Sequence, residues 1–135
     1  MRCDDGVAAF IVEQLEKKLG NSISAFTTQQ LDISWAEKIA EFDFVFFIDA
    51  SVYEENFFLK EIDGEGLPQS SSHHINVSAL VKFTRQLYHV KTTFFLCGIK
   101  GHLFDFGFTL SEQTNHYALL AIELLNNKID ALVNA

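Results

Sequence analysis

The chain is poor in residues that interrupt or staple a fold. Its 135 residues include one proline, Pro68, and two cysteines, Cys3 and Cys97. The thiols are far apart and neither lies in a CxxC pair. Zinc-ribbon and thioredoxin-type motifs are therefore excluded, and a reduced protein without a disulfide is expected. Positive charge is scarce as well: ten Lys and Arg stand against eighteen Asp and Glu, a net charge of -8. That balance argues against non-specific binding to nucleic acid or to an anionic membrane. No apolar run approaches the roughly 20 residues that span a bilayer. Asp4 and Asp5 stand where a secretory leader would be basic and then apolar, so no leader is expected and the expected location is cytoplasmic. HExxH, GxSxG and Walker-type loops are all missing, which leaves zincin, serine-hydrolase and P-loop chemistry without support.

What the chain does have is apolar bulk. Hydrophobic residues make up 48% and fourteen residues are Phe, enough to build one core, so a single domain over 1–135 is expected. From Val7 to Leu19, Val7, Ile11 and Leu15 recur at helical spacing, and Gly20 with Asn21 supplies a stop. Ile23 to Thr27 is short and β-prone. Asp32 to Glu41 carries Ile33, Ala36 and Ile39 at helical spacing and predicts a second helix. FVFFI at 44–48 is a solid apolar block that suits a strand buried on both faces, and TTFFLCGI at 92–99 is another. FFLKEI at 57–62 predicts a further strand. Ile75 to Tyr88 predicts a third helix through Leu80, Val81, Phe83, Thr84 and Leu87. DGEGLPQSSS at 63–72 and GHLFDFGF at 101–108 predict loops. A last helix starts at Ser111, with Tyr117, Leu120, Leu124 and Ile129 as its apolar stripe. Helices alternating with buried strands predict a three-layer α/β/α sandwich around a mostly parallel, twisted sheet.

In open sheets of that kind, ligands bind beyond the carboxyl ends of the strands. Three segments reach that rim in the predicted arrangement. The first is CDDGV at 3–7, where Asp4 or Asp5 also serves as an ordinary helix N-cap. The second is FIDAS at 47–51, whose Asp49 follows a buried strand directly, a costly place for an unpaired carboxylate. The third is SSSHHIN at 70–76, with His73 and His74 just ahead of a helix. Two carboxylates and one imidazole form an open ligand set that suits a divalent ion such as nickel or zinc and leaves positions for an outside ligand. His102 and His116 read as structural or solvated.

Taken in order, these segments resemble the hydrogenase maturation proteases, the family that trims the carboxyl-terminal tail of the nickel–iron hydrogenase large subunit. DDGVAAFIVEQLE at 4–16 is similar to the family's acidic pair and following helix. TTQQLDISWAEKIAEFDFVFFIDAS at 27–51 is similar to its stretch ending in aspartate-alanine, and SHHINVSALVKFTRQLY at 72–88 to its Ser-His helix start. GIKGHLFDFGFTLSEQT at 98–114 is similar to its G-x-x-F-x-x-G-x-x-L-S closing pattern. The resemblance implies an aspartic-type, nickel-dependent endopeptidase acting on a hydrogenase large-subunit precursor, with no membrane insertion and a monomeric state. Carried over position by position, the family's metal-contacting acids fall on Asp5 and Asp49, which are also the implied catalytic residues, and its histidine falls on His73. His74 takes a variable position. The implied metal is nickel already seated in the substrate, with another divalent ion able to stand in.

The chain departs from the family at its start, where only MRC stands in place of a hydrophobic strand and a glycine-rich turn. Cys3 stands at a small polar position and Ala8 at a usual glycine. The expected sheet therefore lacks the family's first strand; a start codon placed downstream of the true one is the favoured cause, and a chain that folds poorly or assembles through exposed strand edges is the alternative. A receiver-type phosphoacceptor domain is the alternative from another class, since Asp4/Asp5, Asp49 and Lys100 occur in the order it requires. No proline follows Lys100, however, and His73 and His74 would have no role there.

Overall fold

The computed structural model describes residues 5–28, 31–51, 57–63, 72–100 and 112–134. The elements run α1 (Asp5–Leu19), a 3-10 turn (Gly20–Ser22), a second 3-10 turn (Ile33–Trp35), α2 (Ala36–Ile39), β1 (Phe44–Ser51), β2 (Phe57–Ile62), α3 (Ser72–Tyr88), β3 (Thr93–Lys100) and α4 (Glu112–Val133). The three strands form one sheet in the order β1-β3-β2.

The sheet is mixed, which corrects the expectation of a mostly parallel one. Only one of three strand pairs is parallel, and it is β1 with β3. Thr93 N–H donates to the Asp43 carbonyl at 2.9 Å, just where both strands begin. Phe46 then stacks on Phe95, further along both strands, so the two leave that end together; Phe47 meets Phe94 across a diagonal. β2 runs against both. The chain length between strands gives the reason: residues 52–56 are all that separate β1 from β2. A parallel crossover needs a dozen or more residues. Alternation of helices and strands was therefore a poor guide at this one link.

Each strand has residues in both of two compact units into which the chain divides: Met1–Thr27 with Ile48–Phe58 and Gly98–Ala135, and Thr28–Phe47 with Leu59–Cys97. In the first unit α1 packs on α4. Ile11 and Leu15 are buried on α1, four residues apart as the sequence predicts. α1 stops at Gly20, whose φ of +52° is a left-handed conformation that glycine adopts freely. Lys17 and Lys18 occupy its last turn, where positive charge complements the helix dipole. On α4 the buried positions are Ala118, Ala121, Ile122, Leu125 and Ile129. Of the expected stripe Ile129 is buried and Tyr117 half-buried, but Leu120 and Leu124 are 37% and 40% exposed.

In the second unit α2 and α3 pack together. Val77, Leu80, Val81 and Thr84 are the buried face of α3, while Leu87, expected on it, is exposed. Thr84 is wholly buried and satisfies its hydroxyl by donating Oγ1–H to the Leu80 carbonyl at 2.7 Å. α3 ends at Tyr88, and His89 just after it takes φ +52°. The helix expected over 32–41 is instead a 3-10 turn followed by one α-helical turn. Asp32 caps it, accepting from Ser34 N–H at 2.9 Å and from the Ser34 hydroxyl. Those two bonds hold its carboxyl below the ordinary value. Ile23 to Thr27, expected to be β-prone, joins no ladder among the described residues, although Ile23 itself is extended.

β3 lies between its two neighbours and is buried at every position from Phe94 to Ile99, as a solid apolar run predicts. β2 is different. Phe58 and Ile62 are buried while Lys60 and Glu61 are exposed, the pattern of an edge strand protected by charge.

Candidate functional site

The sequence places three side chains at the site: Asp5, Asp49 and His73. Asp5 is the first residue of α1, and His73 is the second residue of α3. The helix begins at Ser72, so His73 and His74 lie within its first turn and not ahead of it. The side chains of Asp5, His73 and His74 fall outside the described part of the structure, as do Cys3, Asp4 and His102 altogether. Asp5 and Asp49 belong to the same compact unit and His73 to the other. Among the described residues no group of three or more His, Cys, Asp or Glu gathers at metal-binding distance.

Asp49 is the member whose surroundings are described. It does not follow its strand, as expected, but lies within it, because β1 continues to Ser51. It is half-buried. Strand alternation puts it on the same face as Phe47, which is buried and stacks on Phe94. The Thr93–Asp43 hydrogen bond fixes what stands opposite. In a parallel ladder an N–H of one residue bonds the carbonyl that pairs with the residue before it. Asp43 therefore pairs with Thr92, Val45 with Phe94, Phe47 with Leu96, and Asp49 with Gly98. The apolar ladder on this face thus ends in an acid facing a glycine. The sequence read one residue at a time gives no sign of that pair; only the register does.

The neighbour of Gly98 behaves differently. Cys97 is buried with a free thiol, and burial pushes its pKa from the ordinary 9.0 up to about 12. A protonated, enclosed thiol is neither a nucleophile nor a metal ligand. His116 is exposed and meets Tyr117 edge-on at 5.4 Å, and Tyr117 in turn meets Phe57 at 6.1 Å. Lys100 is the last residue of β3.

Comparison with solved structures gives the fold a context. The chain is similar to the hydrogenase maturating endopeptidase HybD from E. coli, with a TM-score of 0.78 at 15% identity over 96% of this chain and 86% of that one. The chain has the fold of a hydrogenase maturation peptidase. It is similar too to a hydrogenase 2 maturation peptidase from a Thaumarchaeota archaeon, with a TM-score of 0.65 at 18% identity over 93% of this chain and 89% of that one. The [NiFe] hydrogenase maturation protease HycI from Thermococcus kodakarensis KOD1 gives 0.64 at 20% identity over 96% and 85%. Neither a family model nor a curated protein matches the sequence. The resemblance read from the ordered motifs is thus met at the level of the maturation-peptidase fold.

Proposed function

We propose that the chain is a cytoplasmic endopeptidase that removes the carboxyl-terminal tail of a nickel-loaded nickel–iron hydrogenase large-subunit precursor. The observation that carries the reading is the likeness of fold to HybD over 96% of the chain. The order of the sequence motifs along the same fold adds to it. Asp5 opens α1, Asp49 stands near the carboxyl end of β1, and His73 opens α3; element ends of this kind are where α/β folds keep their ligands.

In this reading Asp5, Asp49 and His73 share the nickel that the precursor brings, and the ion is the mark of a substrate ready to be cut. Two oxygens and one nitrogen suit a borderline divalent ion and leave coordination positions for the substrate's own ligands. Gripping an ion already fixed in the precursor would bring its tail to the two carboxylates, a gain from proximity. The acidic surface suits a cation-bearing partner. The receiver-type alternative loses ground here. β2 runs against both of the other strands, whereas a receiver has a doubly wound parallel sheet.

The test is co-expression with a candidate precursor, with and without nickel in the medium, followed by gel-shift detection of tail removal. Asp49→Ala and His73→Ala are expected to leave a folded chain and an uncut precursor. Normal tail removal by both variants would reject the site, and cutting that is indifferent to nickel would reject the recognition signal.

A further inference from the structure

We propose that Gly98 is a positioning residue for the Asp49 carboxylate. That Asp49 meets the substrate is taken from the function proposed above; the pairing of the two residues is not.

The interior of β3 reads Phe-Phe-Leu-Cys-Gly-Ile and is buried throughout. A glycine in such a strand gives up packing surface and adds to the entropy lost on folding. Backbone conformation does not ask for it, since Gly20 is the only described glycine with a positive φ. Gly98 is not at a strand end either, because β3 continues through Ile99 to Lys100. What distinguishes the position is the absent Cβ. Glycine inside a strand often marks a place where another group comes close.

The register says which group stands beside it. Thr93 N–H on the Asp43 carbonyl sets the ladder, and Phe46 stacked on Phe95 confirms it three residues further on. Three more residues on each strand bring Asp49 level with Gly98, both in the same compact unit. Facing residues on adjacent strands sit about 4.8 Å apart and present on one face. A Cβ at 98 would rise beside that of Asp49 on the same face of the ladder. Bare Cα leaves that place open. On the same face, the step before is Phe47 with Leu96, which is filled. The change from filled to bare falls at the one acidic position of the strand.

The experiment compares Gly98→Ala, Asp49→Asn and the double variant in the precursor-processing assay, beside the carboxyl carbon resonance of Asp49 in the free protein. Gly98→Ala is expected to slow tail removal at least tenfold in the parent background and less than twofold on Asp49→Asn. It is also expected to shift the Asp49 carboxyl resonance while the melting temperature holds. An equal loss in both backgrounds, no loss, or an unmoved Asp49 resonance would overturn the proposal. So would a Gly98→Ala chain that fails to fold, since packing alone would then account for the glycine. Should Asp49→Asn itself process normally, the peptidase site fails, and the resonance decides the role of Gly98 by itself.

Discussion

Phe46 lies flat against Phe95, with ring centroids 4.6 Å apart and planes 10° from parallel. The stack ties β1 to β3 three residues before the ladder position of Asp49. Phe95 is buried and Phe46 half-buried, so truncation is expected to be unequal. Phe95→Ala should cost about 3–5 kcal/mol and Phe46→Ala less, because water already reaches part of that ring. The double variant is expected to show a coupling of about 0.5–1.5 kcal/mol, the worth of an aromatic pair beyond its buried area. Urea unfolding of the four chains measures it. Purely additive losses would mean that the rings are neighbours without being partners.

The sequence announced β1 and β3 as strands because FVFFI and TTFFLCGI are unbroken apolar runs, but burial on both faces holds for β3 alone: on β1 Phe44 is exposed and Val45, Phe46 and Ile48 are half-buried. Ile11 and Leu15 were equally plain at helical spacing. The direction of β2 was not. FFLKEI carries no mark of its orientation, and only the short link over 52–56 bears on it, through the reach of five residues. The site divides in the same way. Asp5, Asp49 and His73 stand out because charged and imidazole groups beside apolar runs are conspicuous. Gly98 does not, since its meaning comes from what faces it across a ladder, and pairing between residues 49 positions apart is not a local property of the chain.

α4 shows how size misleads. Large side chains draw attention to Leu120 and Leu124, yet Ala118, Ala121 and Leu125 are fully buried while those two leucines are well exposed. Leu125→Ala is expected to cost about 2–5 kcal/mol. Leu120→Lys and Leu124→Lys are expected to stay within about 0.5 kcal/mol of the parent, as surface changes do. Chemical denaturation of the three variants tests the phase of the helix. A large loss from either lysine variant would place the seam where the sequence alone put it.

Arg85 fastens α3 to two strands of its unit. Its Nη1 donates to the Asp63 carbonyl at 3.1 Å, just past the end of β2, and its guanidinium carbon lies 5.3 Å from the centroid of the Phe94 ring on β3. Arg85→Ala removes both contacts and is expected to cost about 1–2 kcal/mol. Arg85→Lys keeps the charge but loses the planar fork, so an intermediate loss is expected. In a Phe94→Leu background the Arg85→Ala loss should shrink. If it is unchanged there, the ring takes no part and the hydrogen bond alone remains.

Cys97 gives the fold a dependence on alkaline pH whose sign is fixed by burial. The enclosed thiol keeps its proton until about pH 12, whereas an exposed one gives it up near the ordinary value of 9.0. Below that ordinary value both folded and unfolded chains hold the proton, and the contribution to stability is complete. As pH rises from about 9 towards 12, the unfolded chain sheds its proton and the folded chain does not, so stability is lost across the window. The loss from one such group is at most about 1.4 kcal/mol per pH unit. Other groups titrate there, so the measurement is a comparison: urea midpoints from pH 8 to 10.5 for Cys3→Ser and for Cys3→Ser with Cys97→Val. The second chain is expected to lose stability with the shallower slope. In the first, a thiol reagent at pH 8 should leave Cys97 unmodified until the chain unfolds, because only the thiolate reacts. Parallel slopes together with rapid labelling of the folded chain would mean that water reaches Cys97, and that β3 is not sealed beside Gly98.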